Sequence, residues 1–189
     1  MHFHCIGIGG IGMSAIALIL KKQNYTVSGC DCNIQQKSIK KLLDAGCLIF
    51  DGHGSPGCYN NSIDVIIYSS AIKPNNPDII QARKRSIPII SRAQMLAELM
   101  RTKTGIAIAG SHGKTTTSSM IAHILLENKQ DPTIIIGGFL QNINSNAHQG
   151  SGDYIVAEAD ESDRSFLLLP HSISVITNIS LEHLDTYRN

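Results

Sequence analysis

Short apolar runs alternate along the chain with stretches whose apolar residues recur at helical spacing, which predicts an α/β fold built on parallel strands. Residues 3–8 read as a first strand. The run 13–22 is apolar nearly all round and predicts a buried helix. A second strand follows at 25–30. Over 34–44, Ile34, Ile39, Leu42 and Leu43 fall on a roughly helical face, and Gly46 supplies the stop. Strands at 48–50 and 65–68, a short helix at 78–84, a short strand at 88–90 and a helix at 93–101 complete a first cycle. A second cycle opens with a strand at 105–109 and a helix at 114–128, where Met120, Ile121, Ile124 and Leu125 recur at helical spacing. Strands at 133–136, 154–157 and 173–177 follow. Both cycles begin in the same way: strand, glycine-rich loop, apolar helix. The boundary falls near 102–104, giving domains 1–102 and 103–189, and the polar stretch 141–152 reads as the most mobile loop.

Composition narrows the function class. Sixteen basic residues face fifteen acidic ones, for a net charge of +1 among 189 residues. That balance leaves no basic footprint for nucleic acid or an anionic membrane. The longest apolar stretches are too short to cross a bilayer. No basic segment followed by a long apolar run marks the N-terminus as a secretory signal. Cysteines stand at 5, 30, 32, 47 and 58. Their odd number, the lack of Cys-x-x-Cys spacing and the lack of an export signal predict free thiols in a reducing, cytoplasmic setting. Cys30-x-Cys32 has no second Cys or His pair at ligand spacing, so it is not read as a metal site.

The first glycine loop carries Gly7, Gly9, Gly10 and Gly12 between a predicted strand and a predicted helix. Glycine permits the tight turn and the close approach of phosphate oxygens to backbone amides. The helix that follows offers free N–H groups and a positive dipole end. Asp31 closes the second strand, nineteen residues after Gly12, where a Rossmann site holds a ribose hydroxyl. The motif alone does not separate a dinucleotide from another nucleoside diphosphate.

The second loop reads Gly110-Ser111-His112-Gly113-Lys114-Thr115-Thr116. Its chemistry is that of a phosphate loop. Backbone amides cradle a triphosphate, Lys114 neutralises β/γ oxygens, and the Thr115 hydroxyl reaches Mg²⁺. Only two residues separate Gly110 from Gly113, and Ile108 occupies the place of the usual first glycine, so the loop is tighter than most. Downstream, a strand ends in Glu158-Ala-Asp160-Glu161-Ser-Asp163. A carboxylate at the carboxyl end of a parallel strand faces the ligand crevice, and Mg²⁺ takes oxygen ligands, so Glu158 is the first choice of metal ligand. Thr177-Asn178 and Glu182-His183 end a further strand; by position alone His183 reads as a packed or surface side chain rather than a functional group.

Taken together, Gly7-Ile-Gly-Gly-Ile-Gly-Met-Ser14, Ser69-Ser-Ala-Ile72, Arg92-Ala-Gln-Met-Leu-Ala-Glu98, Ala109-Gly-Ser-His-Gly-Lys-Thr-Thr116, Glu158-Ala-Asp-Glu-Ser-Asp163 and Thr177-Asn178 resemble the Mur ligases of bacterial cell-wall synthesis over nearly the whole chain. The resemblance implies a Rossmann-like UDP-sugar domain followed by the first part of a P-loop-type ATPase domain, with the family's amino-acid-binding domain absent and these 189 residues inactive alone. It implies ATP and Mg²⁺ as cofactors and UDP-N-acetylmuramate and L-alanine as substrates, joined through an acyl phosphate. It implies that Gly7, Gly9, Gly10, Gly12, Asp31, Ser69 and Ser70 serve the UDP-sugar. ATP falls to 110–116, catalysis to Lys114, Glu158 and His183, and the metal to Thr115, Glu158 and His183. Ser111 stands where the family usually has Thr, and Glu182 where Asp usually precedes the His. Three rivals remain: a sister ligase that attaches a preformed peptide, which Gly9-Gly10-Ile-Gly-Met-Ser disfavours; an NAD-dependent oxidoreductase, which the second loop argues against; and a non-catalytic UDP-sugar-binding module.

Overall fold

The structure is a computed structural model describing residues 1–60, 62–162, 164–182 and 187. It divides into two compact units, Met1–Met95 and Leu96–Asn189.

The first unit runs β1 (His2–Ile6), α1 (Ile11–Lys22), β2 (Thr26–Asp31), α2 (Lys37–Asp44), β3 (Leu48–Asp51), a 3₁₀ turn (Pro56–Tyr59), β4 (Val65–Tyr68), α3 (Pro77–Lys84) and β5 (Ile89–Ser91). The helix α4 (Arg92–Arg101) straddles the division, whereas a boundary near 102–104 places it wholly in the first domain. The sheet order is β3-β2-β1-β4-β5, and every pairing is parallel. Winding reverses between β1 and β4, so the crevice beyond their carboxyl ends is the place where such sheets take ligands. Loop 7–12 leaves β1 there. The all-round apolar character of α1 has its counterpart in burial of Met13, Ala15, Ile16, Ala17, Ile19 and Leu20. In the second predicted helix, Ile39 and Leu42 are buried, but Ile34 precedes α2 and Leu43 faces solvent.

The second unit contains β6 (Thr104–Ala109), α5 (Lys114–Glu127), β7 (Thr133–Leu140), β8 (Ser145–His148), β9 (Tyr154–Glu158) and β10 (Ile173–Ile176). Their order is β10-β6-β9-β7-β8. The first four strands in that order pair in parallel, and β8 adds an antiparallel edge to β7. The polar segment read as a mobile loop therefore includes a strand. Its backbone is paired through Ile134 with His148 and Ile135 with Ala147, a device that polar side chains do not oppose on an edge. In α5, Ile121 and Leu125 pack against Ile106, Ile108 and Val156, while Met120 and Ile124 are exposed.

Candidate functional site

The strand β6 lies between β10 and β9, so the loop that leaves its carboxyl end is flanked by the ends of both neighbours. Gly110 has φ +127° and Gly113 φ +81°, conformations that favour glycine. A Cβ on Gly110 would collide with Thr177 Oγ1 and lie 2.8 Å from the Asn178 carbonyl oxygen. The close approach is used. Asn178 accepts the His112 N–H on Oδ1 (3.0 Å) and the Ser111 N–H on its carbonyl (3.2 Å), and donates to the His112 carbonyl (2.9 Å). Thr177 Oγ1 donates to the same carbonyl at 2.6 Å. Ser111 Oγ accepts the Ser180 N–H at 3.0 Å, so the hydroxyl that departs from the family's Thr still braces the loop. His112 Nε2 lies 3.3 Å from Glu182 Oε1, both at the surface end of the site.

No side chain caps α5, whose N-cap is Gly113. By contrast, Asn76 caps α3 through the Asp78 N–H. An uncapped helix start presents its first amides and its positive dipole end to an anion. Lys114 adds a full charge. Its ammonium donates to Gly110 O (2.5 Å) and Ser111 O (3.4 Å) and pairs with Glu161 Oε1 at 2.7 Å. Lys114 thus lies folded along the loop, at its mouth.

Glu158, the last residue of β9, extends its carboxylate towards the same helix. It accepts from Thr115 Oγ1 on Oε2 (3.2 Å) and from Ser118 Oγ on Oε1 (3.0 Å). Two glycines of β7 leave the space. A Cβ on Gly137 would sit 2.7 Å from Glu158 Oε2, and one on Gly138 would run into Thr115 Cγ2. Thr115 and Glu158 form an all-oxygen donor pair beside the glycine loop, the kind that suits Mg²⁺. His183, the third expected ligand, lies outside the described residues, as does Asp163. Thr116 is exposed in the first turn of α5. A cavity of about 360 Å³ opens beside the loop, with Gly110, Ser111, Glu161, Phe166, Asn178 and Tyr187 in its wall.

The first loop is also built from the strand ends. Gly7 has φ +78°, and its N–H and that of Ile8 donate to Cys30 O at 2.9 and 3.1 Å. Asp31 accepts the Gly9 N–H at 2.8 Å on Oδ2 and the Asn33 N–H at 2.9 Å on Oδ1. The acid expected to hold a ribose is thus brought onto the loop itself. Ser38 Oγ donates to Gly9 O at 2.6 Å. Ser69 Oγ faces Gly7, 3.1 Å from where a Cβ would stand, and Ser70 is exposed. Gly12 leaves room for Arg92, whose Nη1 would be 3.1 Å from a Cβ there. The N-cap of α1 is Gly10, again without a side-chain cap.

Five participants escaped the sequence reading: Glu161 as the partner of Lys114, Ser118 beneath Glu158, the Gly137–Gly138 gap, Asn178 as the brace of the loop, and Arg92 beside Gly12. Ser118 was within reach, because it follows Lys114 by one helical turn and therefore shares its face. The others depend on strand order, which spacing does not reveal.

Comparison with known proteins gives consistent matches. The descriptions "Mur ligase family, catalytic domain" and "Mur ligase middle domain" match residues 2–104 and 108–189. UDP-N-acetylmuramate–L-alanine ligases of Syntrophus aciditrophicus (strain SB) and Aquifex aeolicus (strain VF5) are 51% and 52% identical to the chain over 187 residues, 99% of its length. The match covers 38% and 40% of those relatives, so the chain spans about two fifths of their length. The crystal structure of UDP-N-acetylmuramate-alanine ligase MurC from Thermotoga maritima superposes with a TM-score of 0.92 at 33% identity, covering 100% of this chain and 44% of that one. A UDP-N-acetylmuramate:L-alanyl-gamma-D-glutamyl-meso-diaminopimelate ligase from Neisseria gives 0.91 at 28% identity, covering 100% and 63%.

Proposed function

The chain belongs to the Mur ligase family, and on that premise we propose that it is the sugar-nucleotide- and ATP-binding part of a cytoplasmic ligase joining L-alanine to UDP-N-acetylmuramate. The observation that carries the ATP half is the convergence of Lys114, the uncapped start of α5 and the Thr115–Glu158 pair at the end of β6. The division of labour follows the expected domains, residues 1–102 for the UDP-sugar and residues from 103 onward for ATP.

In the proposed reaction the muramate carboxylate takes the γ-phosphoryl group of ATP, releasing ADP. The alanine amine then attacks the acyl phosphate, and phosphate leaves as the amide forms. The amides of α5 hold the triphosphate, and Lys114 exchanges Glu161 for phosphoryl oxygens as negative charge develops on them. Thr115 and Glu158, with His183 as the family resemblance implies, would hold Mg²⁺, which would supply further neutralisation of that charge. Asn178 and Thr177 keep the loop in register, so its amides meet phosphate without reorganising. Catalysis of this kind rests on positioning and electrostatics. In the first unit, the loop 7–12 and the start of α1 receive the pyrophosphate of the UDP-sugar, with Asp31 fixing the loop through Gly9 and with Ser69 and Ser70 beside it.

Calorimetric titration of the chain with UDP-N-acetylmuramate and with NADH tests the sugar-nucleotide half. Saturable one-to-one binding of the former and none of the latter is expected. Binding of NADH without binding of the UDP-sugar overturns the reading in favour of a nicotinamide-dependent oxidoreductase.

A further inference from the structure

The face of the first sheet that carries His4 and Cys30 holds a cluster that the ligase reading does not use. The pairings of β1 with β2 set His4 opposite Ser28 and Ile6 opposite Cys30, so both side chains emerge on the same side of the sheet. The 3₁₀ turn lays Cys58 over them. The Cys30 and Cys58 thiols and a ring nitrogen of His4 lie within 4.8 Å of one another, and all three residues are fully buried. Beside them, His53 Nδ1 is 3.2 Å from Cys30 Sγ and 3.2 Å from Asp78 Oδ2, and Asp78 is itself fully buried.

Tetrahedral coordination at the usual zinc–sulfur and zinc–nitrogen lengths sets ligand atoms about 3.5–3.8 Å apart. The His4, Cys30 and Cys58 donor atoms, all within 4.8 Å of one another, reach that spacing with small side-chain shifts, and His53 meets the cluster through Cys30 at 3.2 Å. A second feature points to a ligand. His4 Nδ1 is engaged by Ser28 Oγ at 2.8 Å, and Ser28 in turn meets His2 Nε2 at 2.7 Å. His4 Nε2 is buried without a hydrogen-bond partner. An imidazole anchored through one nitrogen with the other left over is the posture of a metal-ligating histidine. Two thiols and imidazoles are soft to borderline donors, which favour zinc-like ions over Mg²⁺ or Ca²⁺.

We propose that His4, Cys30 and Cys58 form a site for a Zn²⁺-class cation behind the first glycine loop, with His53, already against Cys30, drawn in from Asp78 as the fourth donor. Binding releases the two thiol protons to solvent as the thiolates coordinate, and His53 exchanges Asp78 for the metal. The ion ties β1 and β2 to the segment 53–58. Because Cys30 O receives the Gly7 and Ile8 amides and Asp31 receives that of Gly9, the same ion steadies the base of the loop.

The test is titration of the reduced, metal-free chain with Co²⁺, followed by Zn²⁺. One equivalent of Co²⁺ should bind with tetrahedral d–d absorption and thiolate-to-cobalt charge transfer, and one equivalent of Zn²⁺ should displace it. Cys58→Ser should remove most of the charge-transfer band and weaken affinity at least tenfold, whereas Cys32→Ser, at an exposed position, should leave both unchanged. Circular dichroism establishes that the variants are folded. Should Cys58→Ser fail to fold, His53→Ala, at the partly exposed edge of the cluster, should still weaken Co²⁺ severalfold. Absence of charge transfer in the wild-type chain, equal Co²⁺ affinity in a folded Cys58→Ser chain (or in His53→Ala where Cys58→Ser does not fold), or loss of binding in Cys32→Ser would overturn the proposal. So would a chain whose Cys30 and Cys58 form a disulfide and which takes up no metal after reduction.

Discussion

At Gly110 a single methyl group is opposed by both backbone conformation and space. Its φ of +127° disfavours any L side chain, and an added Cβ would strike Thr177 and crowd the Asn178 backbone. A residue forced into such a conformation costs on the order of 1–3 kcal/mol. Gly110→Ala should therefore lower Tm by roughly 2–12 °C and abolish MgATP binding; an unchanged melting curve with normal binding would mean the loop relaxes freely. Glu158 makes a different prediction. Its carboxylate accepts from Thr115 and Ser118, and the proposed metal would link it to the nucleotide. In Glu158→Ala, MgATP affinity should fall at low Mg²⁺ and recover in part as Mg²⁺ is raised. A deficit that ignores Mg²⁺ concentration would remove Glu158 from the metal site. The pair Lys114–Glu161, one-fifth exposed on each side, makes a smaller one. Such pairs contribute about 0.2–1 kcal/mol, so Glu161→Gln should tighten MgATP binding up to about fivefold by removing a competitor for the ammonium. Weaker binding in that variant would mean that Glu161 assists the nucleotide rather than opposing it.

At the scale of elements, the edge hairpin shows how a polar sequence is held in a sheet. Asp131 accepts from His148 at 2.8 Å and from the Ser151 amide and hydroxyl at 2.7 and 2.8 Å, tying the entrance of β7 to the exit of β8. The bond from His148, followed by those from Ser151, holds the Asp131 carboxyl down at about 2. Its folded pKa is thus below the ordinary aspartate value, so the clip is fully present above about pH 4 and is lost as pH falls towards 2. In hydrogen exchange, Asp131→Asn should lower protection of the β8 amides at pH 5, and variant and wild type should converge near pH 2. Equal protection at pH 5 would show that backbone pairing alone holds β8. This clip was illegible in the sequence, because Asp131 and His148 stand seventeen residues apart in a stretch without periodicity. The apolar strands were legible because burial on both faces leaves near-continuous runs such as 104–109 and 154–158. Helical spacing located α5 but not its buried face, since Met120 and Ile124 share the period of Ile121 and Leu125 but are exposed while those two pack on the sheet.

For the whole molecule, the repeated plan of strand, glycine loop and apolar helix could be read from residue order, as could the place of both glycine loops at strand–helix junctions and of Glu158 at a strand end. What remained hidden was whatever depends on which strand ends lie side by side: Asn178 against Ser111 and His112, Glu161 against Lys114, and His4 against Cys30 and Cys58. Each glycine loop lies within one compact unit. Lys114→Ala should accordingly leave UDP-N-acetylmuramate affinity within about twofold of wild type.

The central claim is that the loop after β6 binds a nucleoside triphosphate through Lys114 and the start of α5, and calorimetric titration of the chain and of Lys114→Ala with MgATP tests it most directly. The wild-type chain should bind one-to-one and the variant should lose roughly 10- to 150-fold, the equivalent of about 1.5–3 kcal/mol for a hydrogen bond to a charged group. No MgATP binding by the wild-type chain, or equal affinity in Lys114→Ala, would contradict it.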